Sequence, residues 1–284
     1  MSSKLLSHRP ALCNIIRRIA VEAGELILEY YDGVRDMEST SKDDGSPVTV
    51  ADQEAERLIE KRLEESVPGI PMIGEEAFAA GRRVDLKTHD YFWLVDPLDG
   101  TRAFVAGEGD FTVNIALIHK GQPILGVIYT PEKGELYAGY INEDGTMRSF
   151  RYFEESETEK DMRTRSMPAK GLTVYASSSK ETMQKNQDVL DQFKIAKVVR
   201  RSSSAKISAI ANGKADIYPR FGPTCEWDTA AGHAILRAAG GDITNMYGEP
   251  LTYGGDHPKL RNPDFIAASA DVLQYFTFQQ KSDS

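Results

Sequence analysis

The N-terminal part of the chain carries apolar residues at helical spacing. From residue 12 to residue 30 they recur every three or four positions, which predicts a long amphipathic helix that Gly33 can close. Residues 33–47 are polar and rich in Gly, Asp, Ser and Lys, so we expect a loop or a hairpin there. A second helix is predicted over 49–66, where a Val-Pro-Gly sequence ends it.

Short apolar runs follow, and they predict β-strands. Residues 91–95, Tyr-Phe-Trp-Leu-Val, form a run that is too short for a helix and is typical of a buried strand. Further apolar runs occupy 111–118, 122–130 and 134–140, and turn-forming residues separate them. This order predicts an antiparallel meander.

The second half of the chain alternates between strand-like and helix-like segments, as is typical of an α/β unit. The strand-like segments are 172–176, 197–200 and 214–218, and the helix-like segments are 180–194, 204–212 and 228–239. Before them, residues 151–168 are rich in charged side chains, which predicts a solvated linker or insertion. We therefore divide the chain into an N-terminal α+β half (1–150), this linker, and a smaller C-terminal α/β half (169–284).

Composition places the chain among soluble globular proteins, with 40% hydrophobic and 27% charged residues in a length of 284. The formal net charge of −9 argues against a nucleic-acid polymer or an anionic membrane surface as partner. Cys13 and Cys225 are far apart in sequence, which predicts a reducing cytoplasm rather than a disulfide framework. No stretch approaches the roughly 20 apolar residues of a membrane span, so we expect no integral membrane segment.

Two aspartates follow the predicted strand at 91–95. Asp96 comes directly after it, Pro97 lacks the amide hydrogen needed to continue the ladder, and Asp99 and Gly100 suit a turn. One such aspartate commonly bonds its own backbone, but two crowded carboxylates repel each other unless a cation lies between them. Mg2+ takes carboxylate and phosphate oxygens, and two ions roughly 3.5–4 Å apart can hold a phosphoryl group for attack by water.

Other carboxylates allow a structural and a chemical interpretation. Glu75 and Glu76 follow a short apolar run and, alone, are typical of a solvated surface. Asp52 lies three residues after Thr49, which is the spacing of a helix capping box, and the residues alone favour that role. Asp228 opens a helix-like run, where a carboxylate also suits the helix dipole.

Basic residues form a second group of candidates. Arg200, Arg201 and Lys206 flank a run of serines, and Arg220 follows a strand-like segment. Such charges are usually solvated, but in an acidic protein they are also reasonable ligands for a phosphate. His233 lies in an alanine-rich helix and is expected to be a packed core residue. The sequence contains no nucleophile elbow, P-loop or dinucleotide-binding glycine motif.

Three motifs together resemble those of the inositol monophosphatase superfamily of lithium-sensitive, Mg2+-dependent phosphatases. They are Glu-Glu at 75–76, Asp-Pro-Leu-Asp-Gly-Thr at 96–101 and Trp-Asp-Thr-Ala-Ala-Gly at 227–232. The resemblance covers roughly residues 12–270, nearly the whole chain.

Within the superfamily the chain is most similar to bacterial CysQ-type 3'(2'),5'-bisphosphate nucleotidases. The stretches that carry this finer match are 111–117, 126–127 and 218–224. Two departures are Gly74, which is closer to the inositol phosphatases than the Ser common in nucleotidases, and Arg-Ala at 102–103, where nucleotidases often carry Lys-Glu.

The resemblance implies two Mg2+ ions, or three with a weakly held ion at Glu75. Glu75, Asp96 and the carbonyl of Leu98 would bind the first ion. Asp96, Asp99 and Asp228 would bind the second.

The resemblance also implies catalytic and substrate-binding residues. Asp52, Glu75 and Thr101 would act catalytically, with Asp52 orienting the attacking water through Thr101 or through a weakly held third ion at Glu75. Gly100 and Thr101 would donate hydrogen bonds to the phosphate. The implied substrate-binding set comprises Glu75, Leu98, Asp99, Gly100, Thr101, Ser203, Lys206, Arg220 and Asp228, of which Ser203, Lys206 and Arg220 would face the nucleotide and its second phosphate.

The fold implied by the resemblance is an αβαβα sandwich of the sugar-phosphatase type, with an antiparallel N-terminal sheet and a mixed C-terminal sheet. The implied reaction is hydrolysis of adenosine 3',5'-bisphosphate (PAP) to AMP in sulfate assimilation, and also of 3'-phosphoadenosine 5'-phosphosulfate (PAPS) to adenosine 5'-phosphosulfate (APS). The alternatives are an inositol-1-phosphate or broad sugar phosphatase, and a non-catalytic, metal-dependent sensor of phosphorylated metabolites. The resemblance favours the cytoplasm, admits peripheral association with the inner membrane, and allows an oligomer.

Overall fold

The computed structural model describes residues 2–36, 39–41, 47–176, 187, 189–200, 205–255 and 258–280. Most of the predicted helix at 180–194, together with Arg201 and Ser203, lies outside these residues. Among the helices in the described ranges, none combines the length and apolar character needed to cross a bilayer.

Two helices dominate the N-terminal part and confirm the predicted pair. The elements of this part are α1 (Ser2–Ser7), α2 (Arg9–Tyr31), β1 (Ser39–Ser41), β2 (Pro47–Thr49) and α3 (Val50–Ser66). β1 and β2 pair antiparallel within the segment predicted as a loop or hairpin. Leu12, Ile16 and Ile27 lie on one face of α2 and are fully buried, because their spacing matches the helical repeat.

The first sheet contains the predicted meander. Its strands are β3 (Met72–Gly74), β4 (Tyr91–Asp99), β5 (Thr112–His119), β6 (Gln122–Thr130), β7 (Glu135–Ile141), β8 (Met147–Phe153) and β9 (Thr158–Asp161), in that order across the sheet. β3 is parallel to β4, and all other neighbouring strands are antiparallel. Two short helices, α4 (Glu75–Ala79) and α5 (Thr101–Val105), follow β3 and β4.

Pro97 does not end the strand, contrary to the prediction. β4 continues through it to Asp99, with Asp96 opposite Asn114 and Asp99 opposite Thr112. Three steps along β4 therefore match two steps along β5, which defines a β-bulge. A bulge tolerates a proline because the extra residue has no ladder hydrogen bond to donate.

Part of the predicted linker is sheet. Residues 151–161 lie in β8, β9 and the turn between them, so the expectation of a solvated linker does not hold for these residues. Phe150 and Tyr152 of β8 pack against apolar residues shared with α2, while their charged neighbours on β9 are exposed. The high charge reflects the outer side of an edge strand, where charged residues discourage further pairing.

The C-terminal part forms a second, mixed sheet. Its elements are β10 (Leu172–Ala176), β11 (Ile195–Arg200), α6 (Ala205–Ala211), β12 (Ile217–Arg220), α7 (Glu226–Ala238), β13 (Gly241–Asn245), β14 (Phe265–Ser269) and α8 (Ala270–Tyr275). The strand order is β11-β10-β12-β14-β13. β10 is parallel to β11 and β12, whereas β14 is antiparallel to β12 and β13.

Apolar clusters lie between successive layers. The first joins α2 and α3 to the seven-stranded sheet, and the second joins the opposite face to α6, α7 and the five-stranded sheet. The third lies on the outer face of the five-stranded sheet, against α8. On β4, Trp93 and Val95 enter the first cluster, whereas Phe92 and Leu94 enter the second, as strand alternation requires. The layer order confirms the predicted αβαβα sandwich.

Two glycines allow α7 to lie directly on the first sheet. A Cβ atom on Gly126 would come within 2.2 Å of the Ala231 carbonyl oxygen, and one on Gly139 within 2.7 Å of the Ile235 Cα. These distances are too short for any side chain. The close approach fixes the position of α7 and, with it, the carboxylate in its first turn.

Candidate active site

Three carboxylates from three elements converge at one edge of the first sheet. Gly74 of β3 pairs with Val95 of the parallel strand β4, so the residues that follow, Glu75 and Asp96, lie side by side. Asp228, in the first turn of α7, completes the group. One carboxylate oxygen from each of the three lies within 4.8 Å of the others.

Electrostatic repulsion marks this cluster. Burial raises the pKa of Asp228 well above its ordinary range, and the charges of Asp99 and Glu75 raise it further. The Cys225 N–H donates to Asp228 Oδ2 at 2.8 Å, and this bond and Arg220 partly oppose the rise in pKa. An all-oxygen, anionic donor set of this kind fits a hard divalent cation such as Mg2+.

Asp99 and Leu98 lie beside the cluster. Asp99 is not one of the three converging residues, but its charge acts on both Asp228 and Lys206. The Leu98 N–H donates to Asp96 Oδ1 at 3.1 Å, which orients that carboxylate. The bulge in β4 permits this local bond between residues two apart.

Asp52 carries out two structural functions at once. Its Oδ2 accepts the Thr49 N–H at 2.7 Å and the Thr49 hydroxyl at 2.6 Å, which confirms the predicted capping box at the start of α3. Its Oδ1 lies 3.1 Å from Thr101 Oγ1. The cap therefore holds Asp52 rigidly while its second oxygen faces the first residue of α5.

Gly100 shapes the turn between β4 and α5. Its φ of +97° lies in the left-handed region, and a Cβ there would lie 2.8 Å from the Asp110 carbonyl oxygen. Only glycine fits both constraints. The turn brings Thr101 back toward Leu98, whose carbonyl oxygen is 3.1 Å from Thr101 Oγ1.

Two basic residues lie near the carboxylates. Lys206 in α6 is buried, and its Nζ is 4.9 Å from the centre of the Tyr218 ring. Burial lowers the pKa of Lys206 to about 8, although the charge of Asp99 partly offsets this. Arg220 acts electrostatically on both Lys206 and Asp228, and its Nη2 donates to the Pro223 carbonyl at 3.3 Å.

Comparison with known proteins matches residues 11–279 to the model of the inositol monophosphatase family. The chain belongs to the inositol monophosphatase family. It is a phosphatase by this membership, and members of the family are metal-dependent, in agreement with the acidic cluster. The resemblance drawn from the sequence is confirmed.

Relatives within this family include proteins named as bisphosphate nucleotidases. The chain is 37% identical over 249 residues to the 3'(2'),5'-bisphosphate nucleotidase CysQ of Escherichia coli K12, covering 87% of this chain and 96% of the relative. It is 38% identical to the protein of the same name from Salmonella typhimurium over the same length and coverage. The crystal structure of CysQ from Bacteroides thetaiotaomicron superimposes with a TM-score of 0.74 at 35% identity, covering 93% of this chain and 98% of that one.

Glu56 lies beside the carboxylate cluster, and the sequence analysis missed it. It lies in α3, and its carboxylate accepts the N–H groups of Glu76 and Ala77, both at 2.7 Å. Burial raises the pKa of Glu56, the two N–H groups lower it, and the charge of Glu75 raises it. The available signal was its position four residues after Asp52, on the buried face of a helix.

Asn262 was missed as well. Its side-chain amide donates to the Cys225 carbonyl at 2.7 Å and lies 3.1 Å from Thr229 Oγ1, so it holds the start of α7 in place. The sequence carries no local signal for this contact, because the partners are more than thirty residues apart. His233 is buried between the Tyr253 hydroxyl and Asp242, which confirms the prediction of a packed core histidine.

Proposed function

We propose that this protein is an Mg2+-dependent 3'(2'),5'-bisphosphate nucleotidase that hydrolyses PAP to AMP and phosphate in sulfate assimilation, and also PAPS to APS. The observation that carries the proposal is the burial of Lys206 beside the acidic cluster. Its ammonium group interacts electrostatically with Asp99, Asp228 and Arg220. A buried cation beside the acidic cluster suits a substrate that carries a second phosphate. The names of the relatives point to the same substrate class.

Glu75, Asp96, Asp99 and Asp228, with the Leu98 carbonyl, would hold two or three Mg2+ ions. When bound, Mg2+ supplies Lewis-acid stabilisation of the phosphoryl oxygens and lowers the pKa of water. The three converging carboxylates support this assignment, because their mutual repulsion is relieved by a cation.

Thr101 and Asp52 would position the attacking water. The single hydroxyl hydrogen of Thr101 can go to Asp52 Oδ1 or to the Leu98 carbonyl, since both oxygens are 3.1 Å away. Donation to Asp52 leaves the Leu98 carbonyl available to a cation and leaves a Thr101 lone pair available to accept a hydrogen bond from water. As water attacks phosphorus, its proton would pass to Thr101 while the Thr101 proton passes to Asp52. The bond between phosphorus and the ester oxygen of the nucleotide would break, and that oxygen would take a proton from a solvent water.

Gly100 and Thr101 would hold the reacting phosphate through their N–H groups and the Thr101 hydroxyl. Lys206 and Arg220 would hold the second phosphate of the nucleotide. Ser203, which lies outside the described residues, is proposed to face the nucleotide on the strength of the family resemblance alone. We also propose a cytoplasmic location, which the two widely separated cysteines support.

An inositol-1-phosphate or broad sugar phosphatase is the second candidate. Gly74 favours it, since the resemblance links Gly at this position to inositol phosphatases and Ser to nucleotidases. Membership in a family of phosphatases does not favour the third hypothesis, a non-catalytic sensor.

The test is phosphate release by the purified protein with Mg2+. PAP, inositol-1-phosphate and fructose-1,6-bisphosphate are compared side by side, and Asp96→Asn serves as the inactive control. We expect kcat/KM to be highest for PAP. A higher value for inositol-1-phosphate would overturn the proposed substrate and support the second candidate.

A further inference from the structure

The Glu56 carboxylate contacts the backbone on both sides of Glu75. It accepts the N–H groups of Glu76 and Ala77, the two residues that follow Glu75. The same carboxylate lies against Gly74, the residue that precedes Glu75. Glu56 therefore contacts the backbone immediately before and immediately after one of the three converging carboxylates.

Gly74 leaves the space that Glu56 occupies. A Cβ atom on Gly74 would lie 2.3 Å from Glu56 Cδ and 2.4 Å and 2.6 Å from its two carboxylate oxygens. The φ of Gly74 is −103°, a value that any residue other than proline readily adopts. Glycine is thus required here for space and not for backbone conformation, and the atoms that need the space belong to Glu56.

Stability alone is a poor explanation for this arrangement. Glu56 is only 4% exposed, and burying a carboxylate near another acidic side chain costs free energy even when two N–H groups bind it. An apolar side chain in α3 would avoid that cost, although it would remove the acceptor of the Glu76 and Ala77 N–H groups. Buried polar groups that are retained at such a cost often serve to orient a neighbouring functional group.

We propose that Glu56 is a positioning residue that fixes the backbone of Glu75 for cation binding, and that Gly74 is glycine to admit the Glu56 carboxyl group. The inference rests on the proposed metal-binding role of Glu75. In this view α3 holds the site at two points one turn apart, because Asp52 binds Thr101 and Glu56 binds the first turn of α4.

The first experiment measures Mn2+ binding by electron paramagnetic resonance, so that the readout does not depend on turnover. Glu56→Gln and Glu56→Ala are compared with wild type and with Glu60→Gln, which is one turn further along α3 and pairs with Arg82. We expect Mn2+ affinity to fall roughly 10–100-fold in both Glu56 variants, as for other residues that orient metal ligands, and to stay unchanged in the Glu60 variant. The melting temperature without metal shows which variants are folded. If Glu56→Ala unfolds, the test uses Glu56→Gln, which keeps the shape of the side chain.

The second experiment tests the spatial relationship between the two residues. Gly74→Ala in the wild-type background should lower Mn2+ affinity, because the new methyl group displaces the Glu56 carboxylate. In the Glu56→Ala background the same substitution should change affinity little, since the space is vacant. Gly255→Ala, where a Cβ meets nothing within 4 Å, is the matched control.

The outcomes separate this inference from the proposed function. A wild-type protein that binds Mn2+, with unchanged affinity in both folded Glu56 variants, overturns the positioning role alone. Independent, additive losses from Gly74→Ala and Glu56→Ala overturn the spatial relationship. A wild-type protein that binds no Mn2+ overturns the proposed metal centre, and the inference with it.

Discussion

The hydroxyl of Thr101 lies 3.1 Å from Asp52 Oδ1, so the first residue of α5 contacts the third residue of α3. Asp52 is held in place by the two hydrogen bonds that it accepts from Thr49. The contact therefore joins a rigid carboxylate to a hydroxyl at the edge of the carboxylate cluster.

Removal of the Thr101 hydroxyl should slow turnover strongly without unfolding the protein. Thr101→Val keeps the shape of the side chain but cannot transfer a proton, so we expect kcat for PAP to fall by about 10²-fold or more. Thr101→Ser keeps the hydroxyl and should retain activity within roughly one order of magnitude of wild type. The measurement is kcat at saturating Mg2+, and near-normal turnover by Thr101→Val would contradict the proposed proton path.

Neutralisation of one carboxylate should abolish activity while sparing the fold. Asp228→Asn keeps an oxygen that can accept the Cys225 N–H. It removes a carboxyl group whose pKa is raised by burial and by the charges of Asp99 and Glu75. We expect no turnover, and a melting temperature without metal equal to or above that of wild type, because repulsion is relieved.

Added Mg2+ provides the complementary measurement for this variant. It should raise the melting temperature of wild type by mass action and raise that of Asp228→Asn less, because the second ion has lost one of its ligands. Asp96→Asn should behave in the same way toward turnover. A folded Asp96→Asn or Asp228→Asn protein with normal activity would contradict the two-ion assignment.

Loss of the basic pair should discriminate between substrates. A charge-assisted hydrogen bond contributes about 1.5–3 kcal/mol, so Lys206→Ala and Arg220→Ala should each lower kcat/KM for PAP by roughly 10–150-fold. Hydrolysis of inositol-1-phosphate, which has no second phosphate, should change far less. Equal losses on both substrates would show that these residues support only the fold or the metal centre.

The pKa of Lys206 adds a pH dependence to the same site. Burial lowers this pKa from 10.5 to about 8, so the ammonium charge is lost as the pH rises through 8. KM for PAP should therefore increase above pH 8 in wild type, whereas KM for inositol-1-phosphate should not. Steady-state kinetics from pH 7 to pH 9 measures this, with Lys206→Ala as the variant that lacks the transition.

Glu226 should make the metal-free protein less stable at higher pH. Burial raises its pKa from 4.5 to about 7, although the N–H groups of Gly254 and Gly255 oppose the rise. The folded state thus binds the proton more tightly, and the resulting stability is present below pH 4.5 and lost as the pH rises through 7. The loss is about 3 kcal/mol at most. Urea unfolding at pH 5 and pH 8 measures this loss. The free energy of unfolding should differ less between the two pH values in Glu226→Gln than in wild type.

A methyl group at Gly126 should destabilise the protein. The new Cβ would meet the Ala231 carbonyl oxygen at 2.2 Å, and a backbone atom of α7 cannot rotate away as a side chain can. We expect Gly126→Ala to lower the free energy of unfolding by about 1–3 kcal/mol or more. Gly255→Ala, which meets nothing within 4 Å, should leave it nearly unchanged in the same urea titration.

Local patterns predicted most individual elements correctly. The helical spacing at 12–30 and the apolar run at 91–95 appear as α2 and the start of β4, because periodicity reports the environment of each side chain. The acidic motif at 96–101 indicated a metal-dependent phosphatase before any contact was known. Family membership and fold class are confirmed, whereas the roles of the site residues and the two-half division of the chain stay predictions.

Two local signals were misleading for the same reason. Pro97 lies within a strand because a bulge opposite β5 accommodates it, and the charged segment 151–161 is sheet because β9 pairs antiparallel with β8. In both cases a neighbouring strand decided the outcome. Neither composition nor propensity specifies that neighbour.

Tertiary structure alone decided which residues meet. The parallel register of Gly74 with Val95 brings Glu75 beside Asp96, and the missing side chain of Gly126 lets α7 carry Asp228 to the same place. The sequence by itself determined the identity of these carboxylates and the elements that carry them. Their convergence depends on contacts between distant segments, which form only when burial of the shared apolar surface offsets the entropy of closing long loops.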